Sequence, residues 1–312
     1  MIIEMLSSPF MQRAIIVAVL VGLAAPVVGT YLVQRRLTLL GDGIGHVALT
    51  GVAFGWFAAN AADVADKDAW AVPGAILASV AGALLIEWMR NRGNASGDVA
   101  LAMLFYGGIA GGVLLIGIAG GTTSNLNAYL FGSISTVTQT DTYLTIGLTI
   151  FILAVGIGLR SALFALCYDE EFARASGLPT ILLSILVSVT AALTVAVAMR
   201  IVGALLVSAL MIIPVAIAQI LTTSFKATMR AAMAIGVVIA LTGLIITYLK
   251  PWSPGATIVV LAVAVYALVT ALRPLFLRLT RRNVHRHPHP QHEPDVTLPE
   301  SAKISSECEE VR

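Results

Sequence analysis

Apolar runs of close to 20 residues recur along this chain, and they leave it few ways to fold in water. A helix needs about 20 apolar residues to cross a hydrocarbon core of roughly 30 Å. Runs of that kind occupy residues 14–33, 43–62, 70–89, 99–120, 142–166, 180–198, 201–221, 231–249 and 256–272. The expected fold is all-α, a polytopic transmembrane helix bundle of about eight or nine spans. The lower count applies if one of the two runs joined at Met199-Arg200 is re-entrant.

Composition agrees with a bilayer as solvent. Apolar residues make up 58% and charged residues 12% of the 312 positions. Soluble domains carry roughly twice that share of charge, so a soluble fold would leave apolar surface uncovered. A net charge of +2 gives nucleic-acid binding no electrostatic support. Cys167 and Cys308 form no disulfide framework or paired-thiol motif. Residues 1–13 lack a basic leader region and carry Glu4, so the first run is expected to stay as an anchor.

Basic residues cluster on one side of the expected spans. With the N-terminus outside, the inner loops hold Arg35, Arg36, Arg90, Arg92, Arg174, Lys226, Arg230, Arg273, Arg278, Arg281, Arg282 and Arg286. The outer side holds Arg13, Lys67, Arg200 and Lys250, which fits a cell-membrane protein with a cytoplasmic C-terminus. The acidic outer loop with Asp63, Asp66 and Asp68 reads as solvated. Gly107, Gly108, Gly111 and Gly112 have spacing that permits close helix approach. Pro26 and Pro214 fall inside spans, where neighbouring helices must satisfy the freed carbonyls. Residues 1–272 are thus expected to form the membrane domain. Residues 273–312 read as a His/Pro-rich disordered cytoplasmic tail.

Four stretches carry chemistry. The first is RRLTLLGDGIGHVALTG at 35–51. Asp42 and His46 stand at i and i+4, on one helix face. Ionisable residues in a span mark function by default, and carboxylate plus imidazole suits zinc or manganese. Two such pairs facing each other in a dimer would supply four ligands. The competing reading makes Asp42 a helix cap and His46 a donor to a neighbouring carbonyl. The second stretch is YDEEFARASGL at 168–178, whose charges suit a short amphipathic helix stopped by Gly177. It is either a solvated loop helix or a surface for a cytoplasmic partner. In the third, 202–226, Ser208, Gln219, Thr222 and Thr223 make this the most polar late segment. After Pro214 this segment is expected to leave the membrane as a short helix on the inner face. The fourth is NVHRHPHPQHEPD, where His285, His287, His289 and His292 either bind metal weakly or belong to an inert polar tail. The chain has no G-x-x-x-x-G-K-[ST] phosphate loop and no hydrolase motif.

Taken in order, RRLTLLGDGIGHVALTGVAFG, YDEEFARASGLP, IVGALLVSALMIIPVAIA and SPGATIVVLA resemble the membrane permease family of zinc/manganese/iron ABC importers. The likeness runs from about residue 15 to residue 272 and leaves out the tail. It implies a fold of the type shared with vitamin B12 and siderophore permeases, and a homodimer. It also implies a separate cytoplasmic ATPase dimer that carries the ATP, and an extracytoplasmic metal-binding protein. The chain itself would be no enzyme and would hold no tightly bound cofactor; zinc or manganese would be its cargo. The resemblance places Asp42 and His46 on the metal path. By analogy the ATPase-coupling region is 216–228, with Gln219, Thr222, Thr223 and Lys226. A second contact is 169–175, with Asp169, Glu170, Glu171 and Arg174. This sequence departs from the family pattern at Gly43 and Gly45, which are expected to loosen the helix start. An ATP-independent metal carrier or channel is the alternative; it would need more intramembrane charges or an inverted repeat.

Overall fold

In a solvent that offers no hydrogen bonds, an apolar chain pairs its backbone internally, and helices are the local solution. A computed structural model describes residues 9–63, 68–92, 97–118, 129–132, 138–250 and 252–280, and every regular element among them is helical. The helices are α1 (Pro9–Gln34), α2 (Leu40–Ala61), α3 (Asp68–Arg92), α4 (Gly97–Ile118) and α5 (Gln139–Gly158). After them come α6 (Arg160–Tyr168), α7 (Glu170–Ala175), α8 (Thr180–Val202), α9 (Ala204–Leu221), α10 (Phe225–Leu249) and α11 (Pro254–Thr280). Among the described residues, 9 helices are long and apolar enough to cross a membrane; α6 and α7 are not. The chain divides into two units, Met1–Arg273 and Pro274–Arg312, and the bundle is the first.

The bundle is built on close backbone approaches. α2 packs most extensively against α3 and α4, and α1 against α10. Where α2 crosses α3, a Cβ on Gly51 would overlap the Gly74 carbonyl, and one on Gly74 would overlap the Gly51 carbonyl. Small residues allow such contact, and contact supplies the dispersion energy that hydrophobicity cannot supply between helices in lipid. Val17, Leu32, Leu40, Ile44, Leu206 and Met211 are fully buried between helices. Leu77, Met103, Ile150 and Val260 are exposed, as lipid-facing side chains would be.

Several expectations need correcting. The run at 142–166 is not one helix: α5 ends at Gly158, Leu159 is a turn, and α6 starts at Arg160. Arg160 explains the break, because a guanidinium inside a span is costly. Both runs beside Met199-Arg200 form helices long and apolar enough to cross a membrane. α8 continues through Arg200 to Val202, and the turn falls at Gly203 with φ 89° and ψ 147°. A left-handed residue there would be strained with any Cβ, and the Gly203 Cβ would also strike the 130–132 backbone. Pro214 does not send the chain out as a surface helix. It is buried inside α9, which continues to Leu221. The start of α2 is not loosened either. Gly43 packs against Leu104 and Gly45 against Ala204 and Val195, so both are buried in contact.

Candidate functional site

The chain enters α2 through a tight elbow. α1 ends in a Schellman arrangement, with Leu37 N–H donating to the Leu32 carbonyl and Arg36 N–H to that of Val33. Arg36 takes the left-handed position at φ 59°, where glycine is usual. Leu39 stands at the N-cap position of α2 and no side-chain cap bond is made there, so the reading of Asp42 as the cap is not met. Asp42 lies in the first helical turn, where the helix dipole favours a carboxylate. It lines a cavity of ≈ 410 Å³ with Ser208, Leu205 and Ile212 of α9, Val259 of α11, and Phe131.

That cavity is walled by a packed junction. Gly132 and Gly203, both at positive φ, meet back to back, and Gly255 of α11 lies against the Phe131 and Val202 carbonyls. The segment at 129–132 is thereby fixed over the α8–α9 turn. Asp42 and Ser208 are the carboxylate and the hydroxyl on an otherwise largely apolar lining. Sequence reading noted Ser208 as polar and did not place it beside Asp42.

His46 is one turn further along α2 and half-buried. Its ring meets Phe105 of α4 edge-on, with centroids 4.6 Å apart and planes at 84°. Thr50, another turn on, donates from Oγ1 to the Gly108 carbonyl at 2.7 Å. Of the glycines noted on α4, Gly108, Gly111 and Gly112 face α2, and Gly107 faces open space. Among the described residues no three metal-ligating side chains form a cluster, and His46 is not among the residues that line the Asp42 cavity.

α7 is the short helix read from 168–178. Asp169 caps it by accepting from the Phe172 N–H at 2.9 Å. Gly177 at φ 78° ends it, with Leu178 N–H donating to the Ala173 carbonyl. Glu170 pairs with Arg174 at 3.4 Å across one turn; Glu171 and Phe172 are exposed. The α9–α10 turn at 222–224 exposes Thr223, with Gln219 and Lys226 exposed on either side of the turn. The Thr222 and Thr228 hydroxyls bond at 2.7 Å across it. Phe164 of α6 meets Phe225 of α10 with ring centroids 5.0 Å apart and planes tilted at 60°, which ties α6 to the start of α10.

A buried carboxylate went unremarked in the sequence. Glu87 of α3 is 2% exposed. It accepts from Ser184 Oγ at 2.8 Å and Ser188 Oγ at 2.9 Å, both on α8, and from Arg90 at 3.0 Å. An acidic residue inside an apolar run was the available signal. The tail histidines His285, His287, His289 and His292 lie outside the described residues.

With this geometry in place, similarity to known proteins decides the family. A family model described as the ABC 3 transport family matches residues 7–273. The chain belongs to this family. The ABC 3 chain is 31% identical over 271 residues to an uncharacterized membrane protein of Synechocystis sp., covering 87% of this chain and 93% of the relative. It is 30% identical over 278 residues to the manganese transport system membrane protein MntC of Halalkalibacterium halodurans, covering 89% and 92%. Among solved structures, a chain of PsaBC from Streptococcus pneumoniae in complex with Fab superposes with TM-score 0.77 at 29% identity, covering 91% of this chain and all of that one. A chain of an inward-facing metal-chelate type ABC transporter superposes with TM-score 0.61 at 19% identity, which shows the shared fold. The ABC 3 chain is therefore an all-helical, multi-pass membrane transport protein of the expected permease fold.

Proposed function

We propose that this chain is the membrane permease of an ATP-binding-cassette importer for a divalent metal ion, manganese before zinc. The observation that carries this reading is Asp42, a carboxylate on the first turn of α2, opening into the cavity between α9 and α11. Manganese is put first because relatives at 30% and 28% identity are described as manganese transport membrane proteins. Carboxylate and imidazole suit that ion with water completing its shell.

Two copies of the chain would form the pore, each offering Asp42 and His46. Few ligands per copy suit a path, because a closed multidentate site would hold the ion. The N-terminus lies outside and the tail in the cytoplasm, as the Lys/Arg bias favours. ATP is bound by a separate cytoplasmic ATPase dimer. Its docking face is α7, with Asp169, Glu170, Glu171 and Arg174, together with Gln219, Thr222, Thr223 and Lys226 at the α9–α10 turn. α7 takes the larger part, because it is a discrete helix whose Phe172 is 65% exposed, beside Tyr168 at 84%, and exposed aromatics are favoured anchors in interfaces. An extracytoplasmic binding protein delivers the metal. The tail histidines act at most as a weak accessory site.

The test is uptake of manganese into proteoliposomes holding the permease with its co-expressed ATPase. Asp42→Ala and His46→Ala are each expected to cut initial uptake by about tenfold or more, the loss of a charged ligand contact. Both complexes should still assemble. Wild-type uptake by both variants would remove these residues from the path.

A further inference from the structure

The elbow between α1 and α2 carries a buried cation with spare bonding capacity. The Arg35 side chain is 5% exposed. Its Nη2 lies 3.9 Å from a Glu170 carboxylate oxygen on α7, beyond hydrogen-bond range. Its Nη1 is buried without a partner, an arrangement native proteins rarely leave standing. Burial pushes this guanidinium below its ordinary pKa, and Glu87, Arg90, Cys167 and Glu170 all lie within its electrostatic reach. Glu87 is already engaged, with Ser184, Ser188 and Arg90 on its two oxygens. Glu170 holds Arg174 on Oε1 at 3.4 Å in an exposed pair, and its Oε2 is the carboxylate oxygen that faces Arg35. Arg36, the next residue, holds a left-handed conformation that costs a non-glycine residue energy. Six residues further on stands Asp42.

We propose that Arg35 is the positioning residue that couples α7 to the Asp42-bearing helix. In this structure the Arg35–Glu170 contact is loose. When a partner presses α7 toward the bundle, the exposed Arg174 gives up Glu170 Oε1 to water, and both guanidinium nitrogens of Arg35 close on the Glu170 carboxylate as a bidentate pair. Arg35 is thereby pulled, the strained elbow shifts, and the first turn of α2 moves with it. This rests on the importer reading above, which supplies the partner that moves α7. The link is a packed and charged connection between two elements, the kind through which coupling travels.

The experiment measures manganese imported per ATP hydrolysed in proteoliposomes of the full permease with its ATPase. Arg35→Gln and Glu170→Gln are each expected to lower that ratio by about fivefold or more while hydrolysis continues. Arg35→Gln/Glu170→Gln should be no worse than either single variant, because both remove the same contact. A wild-type ratio in Arg35→Gln, or additive losses in the double variant, overturns the proposal. If Arg35→Gln does not assemble, Arg35→Lys is read instead. It keeps the charge and loses the fork, so its ratio should still fall, and a wild-type ratio overturns the proposal equally. Failure of the importer reading is distinct: the wild-type complex would then show no ATP-dependent manganese uptake at all.

Discussion

Thr50 Oγ1 donates to the Gly108 carbonyl at 2.7 Å, and this bond fastens α2 to α4 one turn beyond His46. The approach depends on Gly108 having no side chain. A Cβ there would sit 2.8 Å from the His46 carbonyl carbon and 3.0 Å from the His46 Cβ. Both atoms belong to a helix whose other face is held by Gly51 against Gly74, so α2 has little room to retreat.

Gly108→Ala is therefore expected to destabilise the protein by about 1–3 kcal/mol, the usual cost of overpacking. It should also displace His46 and lower manganese uptake. Gly107→Ala, one residue away, meets open space and should leave both unchanged. Thermal unfolding in detergent, with uptake measured in parallel, checks the contrast. Equal behaviour of the two variants would refute the packing argument.

Ser208 supplies the hydroxyl that shares the cavity with Asp42. It already donates to the Leu205 carbonyl at 3.1 Å, which leaves its lone pairs for a passing ion or its water. Ser208→Ala is expected to slow uptake modestly, about two- to tenfold, the worth of one polar contact. Ser208→Leu places bulk in the cavity beside Asp42 and should slow uptake much further. Initial uptake rates decide; an unaltered rate in Ser208→Leu would place the path elsewhere.

Much of this architecture was legible in the sequence, because in a bilayer hydropathy and span length determine most of what forms. Spacing alone puts Asp42 and His46 one turn apart on one helix; that the cavity takes Asp42 while His46 packs on Phe105 depends on the fold. The stop at Gly177 was readable for the same local reason. What was missed needed partners distant in sequence. The turn at Gly203 exists against Gly132, and no local signal near Met199-Arg200 reveals that. Pro214 looked like an exit, but burial among its neighbours keeps α9 intact to Leu221. Glu87 lies inside the apolar run at 70–89, and nothing near it in sequence shows what it bonds to. Its burial depends on Ser184 and Ser188 of α8.

That Glu87 cluster makes a stability prediction. Glu87→Ala removes the acceptor for two buried hydroxyls and one guanidinium, and should cost about 3–5 kcal/mol, as for breaking a buried pair. Glu87→Gln keeps one acceptor oxygen and should cost about 1–3 kcal/mol. Arg90 is 25% exposed, so water can take over part of its pairing, and Arg90→Ala should fall below both. Unfolding temperatures of the three purified variants test the order. An Arg90→Ala variant less stable than Glu87→Ala would contradict it.

Cys167 predicts a dependence on pH. Burial pushes its thiol up from 9.0 to about 11, against a smaller opposing pull from Arg35. Burial thus favours the neutral form. The contribution is present in full below the ordinary thiol value of 9.0 and is lost as pH rises through about 11. Since the thiolate is the nucleophile, Cys167 should resist alkylation at neutral pH and react increasingly as pH climbs toward 11. In a Cys308→Ser background, maleimide labelling of the folded protein followed by mass spectrometry measures this. Arg35→Gln removes the opposing charge and should shift labelling to still higher pH. Rapid labelling of Cys167 at neutral pH would show that the α1–α6 contact holding it, where its Sγ lies 3.8 Å from the Tyr31 carbonyl, opens readily in solution.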